Sequence, residues 1–253
     1  MSNAPVLWHI KVSHFSEKVR WALDYKRVVH RRRTPLPGAH PLFALWLTRG
    51  ARATLPILEL DGEPIGDSSR IIEALERRHP EPALYPDDAG RLARALELEA
   101  FFDEHVGPQL RRFVWHEAIK DREAFAEFAV RQVPGSLPTT PRLAGSFAST
   151  FVRLRYGAAN ESGAETARRQ VLEGLDRLEA ELGSGEYLVG DRFTVADLTG
   201  AALLYPLVLP PEAPTPQLEP EPFRRFQDSV RERRAFQWVA EMFRRHRGSA
   251  DPS

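Results

Sequence analysis

Cysteine is absent from the 253 residues, which removes disulfides, thiolate metal sites and a cysteine nucleophile from consideration. Asparagine occurs only at Asn3 and Asn160, and lysine only at Lys11, Lys18, Lys26 and Lys120, so arginine carries nearly all the positive charge. That bias suits a GC-rich or heat-adapted source and says little about mechanism. Net charge is missing as well, with Lys+Arg 35 against Asp+Glu 35. Without a global basic field, nucleic acid is not an expected partner, and the clusters Arg31 to Arg33 and Arg244–Arg245 read as solvated faces. Long hydrophobic runs are lacking. The longest, Leu198 to Leu209, contains Pro206 and is too short to span a bilayer; it reads as a buried helix. Met1 to Pro5 has no apolar signal core. We therefore expect no membrane partner and a cytoplasmic address. His9, His14, His105 and His116 lack metal-ligand spacing, so no metal is expected, and no glycine-rich phosphate loop occurs.

The length suits one large domain or two ordinary ones, and with 42% of the chain hydrophobic there is ample material for a buried core. Val6 to Val12 reads as a strand. Phe15, Val19, Ala22 and Leu23 follow at helical spacing, with Glu17, Lys18, Arg20 and Asp24 on other faces. Val28 to Thr34 reads as an edge strand because of its arginines. Pro41 to Arg49 reads as a short helix with Leu42, Leu45 and Trp46 on its apolar side. Leu55 to Gly66 is two strands joined at Asp61-Gly62, a strong hairpin signal. Asp67 and Ser68 can cap the next helix, whose core face is Ile71, Ile72 and Leu75. Parallel pairing followed by a hairpin is the α/β thioredoxin-like arrangement.

Pro80, Pro82 and Pro86, with Asp87, Asp88 and Gly90, form a breaker-rich linker. Beyond it the pattern is all-α, a helical bundle. The expected helices are Arg91 to Trp115, Arg122 to Val133, a stretch within Leu143 to Tyr156, Ala164 to Leu182, Thr194 to Leu207, and Pro222 to Arg247 with a break near Arg234. Proline-rich breaks at 134–141 and 206–222 divide them. The expected domains are residues 1–82 and 90–247.

Ser13 directly follows the first strand, at the start of the first helix. There free N–H groups and the helix dipole favour an anion. A hydroxyl at that point can donate to a bound thiolate and lower its pKa; equally, serine there is a good helix cap. Pro56 begins a strand. A cis Leu55–Pro56 bond would turn the Leu55 backbone toward an extended peptide ligand. Asp67-Ser68 offers N–H groups and a hydroxyl to a carboxylate and a side chain to an amine, or is a plain cap.

In order and spacing, Ser13, Leu55-Pro56 and Asp67-Ser68-(Ile71-Ile72) resemble the glutathione S-transferase family. Ser16-Glu17-Lys18-Val19-Arg20-Trp21-Ala22-Leu23 is similar to that family's first helix. Tyr187 to Asp197 resembles the loop and capping box before its buried core helix, with Thr194 as cap, Asp197 reaching back and Phe193 as staple. The resemblance implies that Ser13 stabilises the thiolate of glutathione, the co-substrate. It implies that Leu55 and Pro56 bind the cysteinyl backbone, and that Asp67 and Ser68 hold the γ-glutamyl end. Residues 1–82 would be the glutathione-binding domain and 90–247 would supply the electrophile pocket, in a homodimer. Ser16 is a competing hydroxyl one turn on. Phe101, Phe102, His105, Arg112 and Trp115 lie along the first long helix of the second domain and read mainly as a core or interface stripe. Three functions follow: an enzyme delivering glutathione or a related thiol to an electrophile, a thiol-dependent isomerase or reductive enzyme, and a non-catalytic binding module that keeps the fold.

Overall fold

The computed structural model describes residues 4–36, 38–133, 139–214 and 220–248. Its first half is a four-stranded mixed sheet in the order β2-β1-β3-β4. The strands are β1 (Val6–Trp8), β2 (Arg31–Arg33), β3 (Ile57–Leu60) and β4 (Glu63–Gly66). β1 pairs parallel to β2 and antiparallel to β3, with Leu7 opposite both Arg32 and Leu58. The β3–β4 turn places Asp61 at φ 52° and Gly62 at φ 86°. Both are left-handed, as a two-residue hairpin turn of this twist requires. The arginines of β2 do sit on an edge, where charge discourages pairing with another chain.

Three helices accompany the sheet: α1 (His14–Tyr25), α2 (His40–Leu47) and α3 (Ser68–Arg78). β1 stops well short of the expected Val12, because the Ser13 N–H turns back to the Ile10 carbonyl at 3.1 Å and starts α1. In α2 the expected apolar side does not face inward: only Ala44 is buried, and Leu42 and Trp46 are each 74% exposed.

The helical half runs α4 (Ala89–Phe101), α5 (Gly107–Ala118), α6 (Arg122–Arg131), α7 (Pro141–Tyr156), α8 (Glu161–Leu182), α9 (Val195–Val208), α10 (Glu221–Val230) and α11 (Arg234–Met242). The single helix expected from Arg91 to Trp115 is interrupted by a π-turn, Phe102–Val106. Pro108 follows at once, and a proline lacks the N–H that would continue the α ladder from the Glu104 carbonyl. A second π-turn, Phe243–Arg247, ends the chain's last helix. Of the two proline-rich breaks, 134–138 and 215–219 lie outside the described residues. Among the described residues no helix is long and apolar enough to cross a membrane.

The core is centred on α9, buried along almost its whole length as the Leu198 to Leu209 run suggested. α1 packs between α9 and the sheet, and this overturns one expectation. Glu17, Lys18 and Arg20, read as lying on polar faces, are buried, because the helical half covers the side that a lone domain would leave wet. Each finds partners there. Glu17 pairs with Arg20 at 2.7 Å and with Arg247 of the terminal π-turn, which also reaches Asp24 at 2.8 Å. Arg20 donates to His9 Nδ1 at 2.7 Å, and burial next to that guanidinium lowers the His9 pKa to about 3.

Asp197 closes the α9 entry. Its carboxylate accepts from the Leu188 N–H at 2.7 Å and from the Thr194 N–H and hydroxyl, both at 2.8 Å. Phe193 packs beside it, stacked on Trp21. Burial raises the Asp197 pKa to about 6 against these three bonds. We expect Asp197→Ala to destabilise the protein by about 3 kcal/mol, since it removes a cap and leaves buried N–H groups unpaired. The check is a lowered urea midpoint at unchanged slope; a midpoint like that of the parent would refute it.

Candidate active site

Two cavities meet at the loop before β3. One, of about 410 Å³, is polar and is lined by Pro56, Asp67, Ser68, Ser69, Glu99 and Asp103 among others. The other, of about 160 Å³, is largely apolar and lies between the start of α1 and helices α5, α6, α7 and α9. Thr54, Leu55, Arg111 and Arg155 line both. All five residues singled out by sequence are therefore here. Ser13 is on the apolar side, Pro56, Asp67 and Ser68 on the polar side, and Leu55 on the shared wall.

Ser13 is the N-cap of α1, and its Oγ accepts the Ser16 N–H at 3.3 Å. Accepting that bond leaves the hydroxyl proton free to be donated elsewhere. Ser16 differs. It is fully buried, lines neither cavity, and its Oγ accepts the Ile10 N–H at 3.2 Å, which fixes the strand-to-helix turn.

The Leu55–Pro56 bond is cis. Leu55 lies outside the ladder, whose last β1–β3 pair is Trp8 with Ile57, and its N–H and C=O have no partner among the described residues. Asp67 caps α3, accepting from the N–H groups of Ser69 at 3.1 Å and Arg70 at 3.4 Å, and its second oxygen lies 3.5 Å from Arg52. Asp67 holds φ 82°, a strained conformation for a residue with a Cβ. The Ser68 side chain is buried at the cavity wall, with no hydrogen bond to its hydroxyl among the described residues.

The floor of the polar cavity was missed by sequence reading. Lys18 Nζ, fully buried, lies 2.8 Å from Glu99 and 2.6 Å from Asp103, and donates to Ser69 Oγ at 2.9 Å. Ser69 Oγ in turn donates to Asp103 at 2.5 Å. Burial works against the lysine's charge, yet the two carboxylates outweigh it and raise its pKa. Two carboxyl groups thus share the one lysine on this floor. Asp103 Oδ1 is shut off from solvent and has no hydrogen-bond partner among the described residues.

The wall of the apolar cavity carries a different set. His14 is buried beside Ser13. Desolvation, then the nearby Arg111, bring its pKa down to about 3, so the ring is neutral at physiological pH. Tyr205 donates to the Val12 carbonyl at 3.1 Å, holding the loop ahead of Ser13 against α9. Of the residues expected along the first long helix, Trp115 does line this cavity, whereas Phe102 is core and Arg112 donates to the Tyr156 carbonyl. The extra residue of the π-turn rotates α5 relative to α4. Arg111, one residue before the Arg112 that the sequence reading named, lines both cavities.

The comparisons with known proteins bear on both halves of this architecture. The glutathione S-transferase N-terminal domain model matches residues 7–83, and the glutathione S-transferase C-terminal domain model matches residues 143–224. A probable maleylacetoacetate isomerase of Caenorhabditis elegans is 29% identical over 208 residues, 81% of this chain and 80% of that protein. Among solved structures, the β-etherase LigF of Sphingobium sp. strain SYK-6 superposes with TM-score 0.62 at 23% identity, covering 94% of this chain and 99% of that one. A glutathione S-transferase of Methylobacillus flagellatus KT with bound glutathione superposes with TM-score 0.53 at 21% identity, covering 93% and 98%. With a sheet-bearing domain and a helical domain each matched by its own half of one family, this chain belongs to the glutathione S-transferase family.

Proposed function

We propose that this protein is a glutathione-dependent enzyme that activates the thiol of glutathione, its co-substrate, for attack on an electrophile in the adjoining apolar cavity. The observation that carries the reading is the shared wall. A peptide laid in the polar cavity along the Leu55 backbone can direct its sulfur into the apolar one, where Ser13 stands. The vacant hydrogen-bonding capacity fits such a ligand: the Leu55 N–H and C=O for a peptide backbone, the Ser68 hydroxyl for a carboxylate, and the acidic floor for an ammonium group. Bound there, glutathione supplies a nucleophile that either stays in the product or adds and departs again. The relative named as a maleylacetoacetate isomerase favours the second outcome as an alternative.

In this reading Ser13 donates its free hydroxyl proton to the sulfur, while the positive end of α1 favours the ionised form. Leu55 orients the peptide, and the apolar wall excludes water from the reacting atoms. The principal test is a glutathione titration followed by thiolate absorbance at neutral pH. Saturable binding with ionisation is the expected result. Binding without ionisation indicates a non-catalytic module.

Ser13→Ala is expected to raise the pKa of bound thiol and slow turnover by up to roughly a hundredfold, the range of one hydrogen bond to an anion. Ser16→Ala should cost about 1 kcal/mol of stability and leave thiol ionisation as in the parent. Spectroscopic titration of both variants decides, and the opposite ranking means that the wrong hydroxyl was assigned. Asp67→Ala and Ser68→Ala should raise the KM for glutathione more than they lower kcat, with about 1 kcal/mol of helix-cap loss in the case of Asp67. Normal KM values in both would show that the γ-glutamyl end is held elsewhere.

The protein is further proposed to be a cytoplasmic homodimer. Leu42 and Trp46 stand out from α2 next to half-buried Phe43, an apolar patch suited to an isologous contact. Sedimentation velocity at micromolar concentration should show a dimer, weakened in Trp46→Glu; a monomeric parent disproves it.

A further inference from the structure

Arginine is abundant here, and much of it is matched to acids. Arg20 pairs with Glu17, Arg32 with Asp24, and Arg233 with Asp176 and Glu179. Two arginines on the shared wall break that habit. Arg111 of α5 and Arg155 of α7 line both cavities, yet neither has a carboxylate within 4.0 Å among the described residues. Arg111 is held by aromatic faces: its guanidinium carbon lies 5.4 Å from the Phe15 ring centre and 4.6 Å from that of Tyr156. Its Nε is closed to solvent and has no hydrogen-bond partner among the described residues. Burial, with the like charge of Arg155 added, lowers its pKa below the ordinary guanidinium value. A buried, charged donor without an acceptor is costly to keep.

The other charged and titratable groups of the two cavities do not relieve it. His14 of α1 is neutral, and His40 of α2 is pushed the same way by burial and by Arg155. Glu99 and Asp103 are turned to Lys18, Asp67 caps α3 opposite Arg52, and Glu104 lines only the polar cavity of the two. What remains on the apolar side is two positive, planar, fork-shaped donors at the edge of an apolar space. That is the recognition geometry for a carboxylate attached to a hydrophobic body.

We propose that the second substrate is anionic, an electrophile whose apolar part fills the cavity beside Trp115 and Phe128 and whose carboxylate is taken by Arg111 and Arg155. This rests on the thiol-activating reading above, but anion binding can be measured without any reaction. The probes are 3-benzoylpropionic acid, which has no electrophilic double bond, and its methyl ester, titrated calorimetrically against the whole protein. The acid should bind at least about tenfold tighter than the ester, the low end for a charge-assisted bond. Arg155→Gln, at an exposed side chain with no hydrogen bond to lose among the described residues, should reduce that ratio to below about threefold, and Arg111→Gln should do the same. Equal affinity for acid and ester in the parent overturns the proposal, as does an unchanged ratio in both variants. So does a loss confined to glutathione affinity, which would assign the arginines to the thiol peptide's own carboxylate. An acid preference that persists while glutathione forms no thiolate upholds the anion site and removes the thiol-activating reading.

Discussion

The structure depends on the burial of charge along α1. Glu17, Lys18 and Arg20 follow one another closely, are all buried, and all have charged or polar partners. Glu17 is met by the C-terminal Arg247, Lys18 by Glu99 and Asp103 at the α4–π junction, and Arg20 by Glu17 and the end of β1. Removing such charges from water is costly, and only good geometry with further hydrogen bonds offsets it. The two halves are thus held in one register by electrostatics as well as by the apolar packing of α1 on α9. That register brings Ser13, on the first half, opposite Arg111, Trp115 and Tyr205 on the second.

Much of the first half was legible because its signals are local. The Asp61-Gly62 turn, the Asp67 cap and the alternation of apolar residues each fix a few residues of backbone without reference to anything distant. Ser13, Leu55, Pro56, Asp67 and Ser68 were singled out by their order and spacing, and they line the two adjoining cavities. The α9 entry was legible through its capping box. What escaped notice needed the other half of the chain. Nothing local says that Lys18 is buried, since on a helix in isolation it belongs with the solvated residues. Asp103 and Arg111 were missed likewise, because Lys18 and Phe15, which they meet, lie on α1 in the other half. α2 was read as carrying apolar residues that a small domain does not fully bury, and Leu42 and Trp46 do stand exposed.

The π-turn also shapes the cleft. Its wider winding presents Asp103 and Glu104 to the polar cavity, while Gly107, immediately after it, lets Phe15 and Leu203 come close. A Cβ at that position would meet Phe15 at 3.0 Å and Leu203 at 3.1 Å. Phe15 in turn supports one face of Arg111. The π-turn and the glycine after it thus adjoin the acidic floor, the α1 and α9 side chains, and the seat of an arginine.

The charges on α1 have a consequence for how such a chain can be divided or recombined. Cut at the proline-rich linker, the sheet-bearing half would carry Glu17 without Arg247 and Lys18 without either carboxylate. The helical half would keep Glu99 and Asp103 with no counter-ion. Neither fragment is a free-standing module in the sense that its sequence, read alone, suggests. A chimera that joins this first half to the helical half of a relative inherits the joint only if the graft brings an acid pair to Lys18 and a basic residue to Glu17. The portable unit is the matched set of side chains across the boundary, and the boundary in the backbone is the wrong place to look for it.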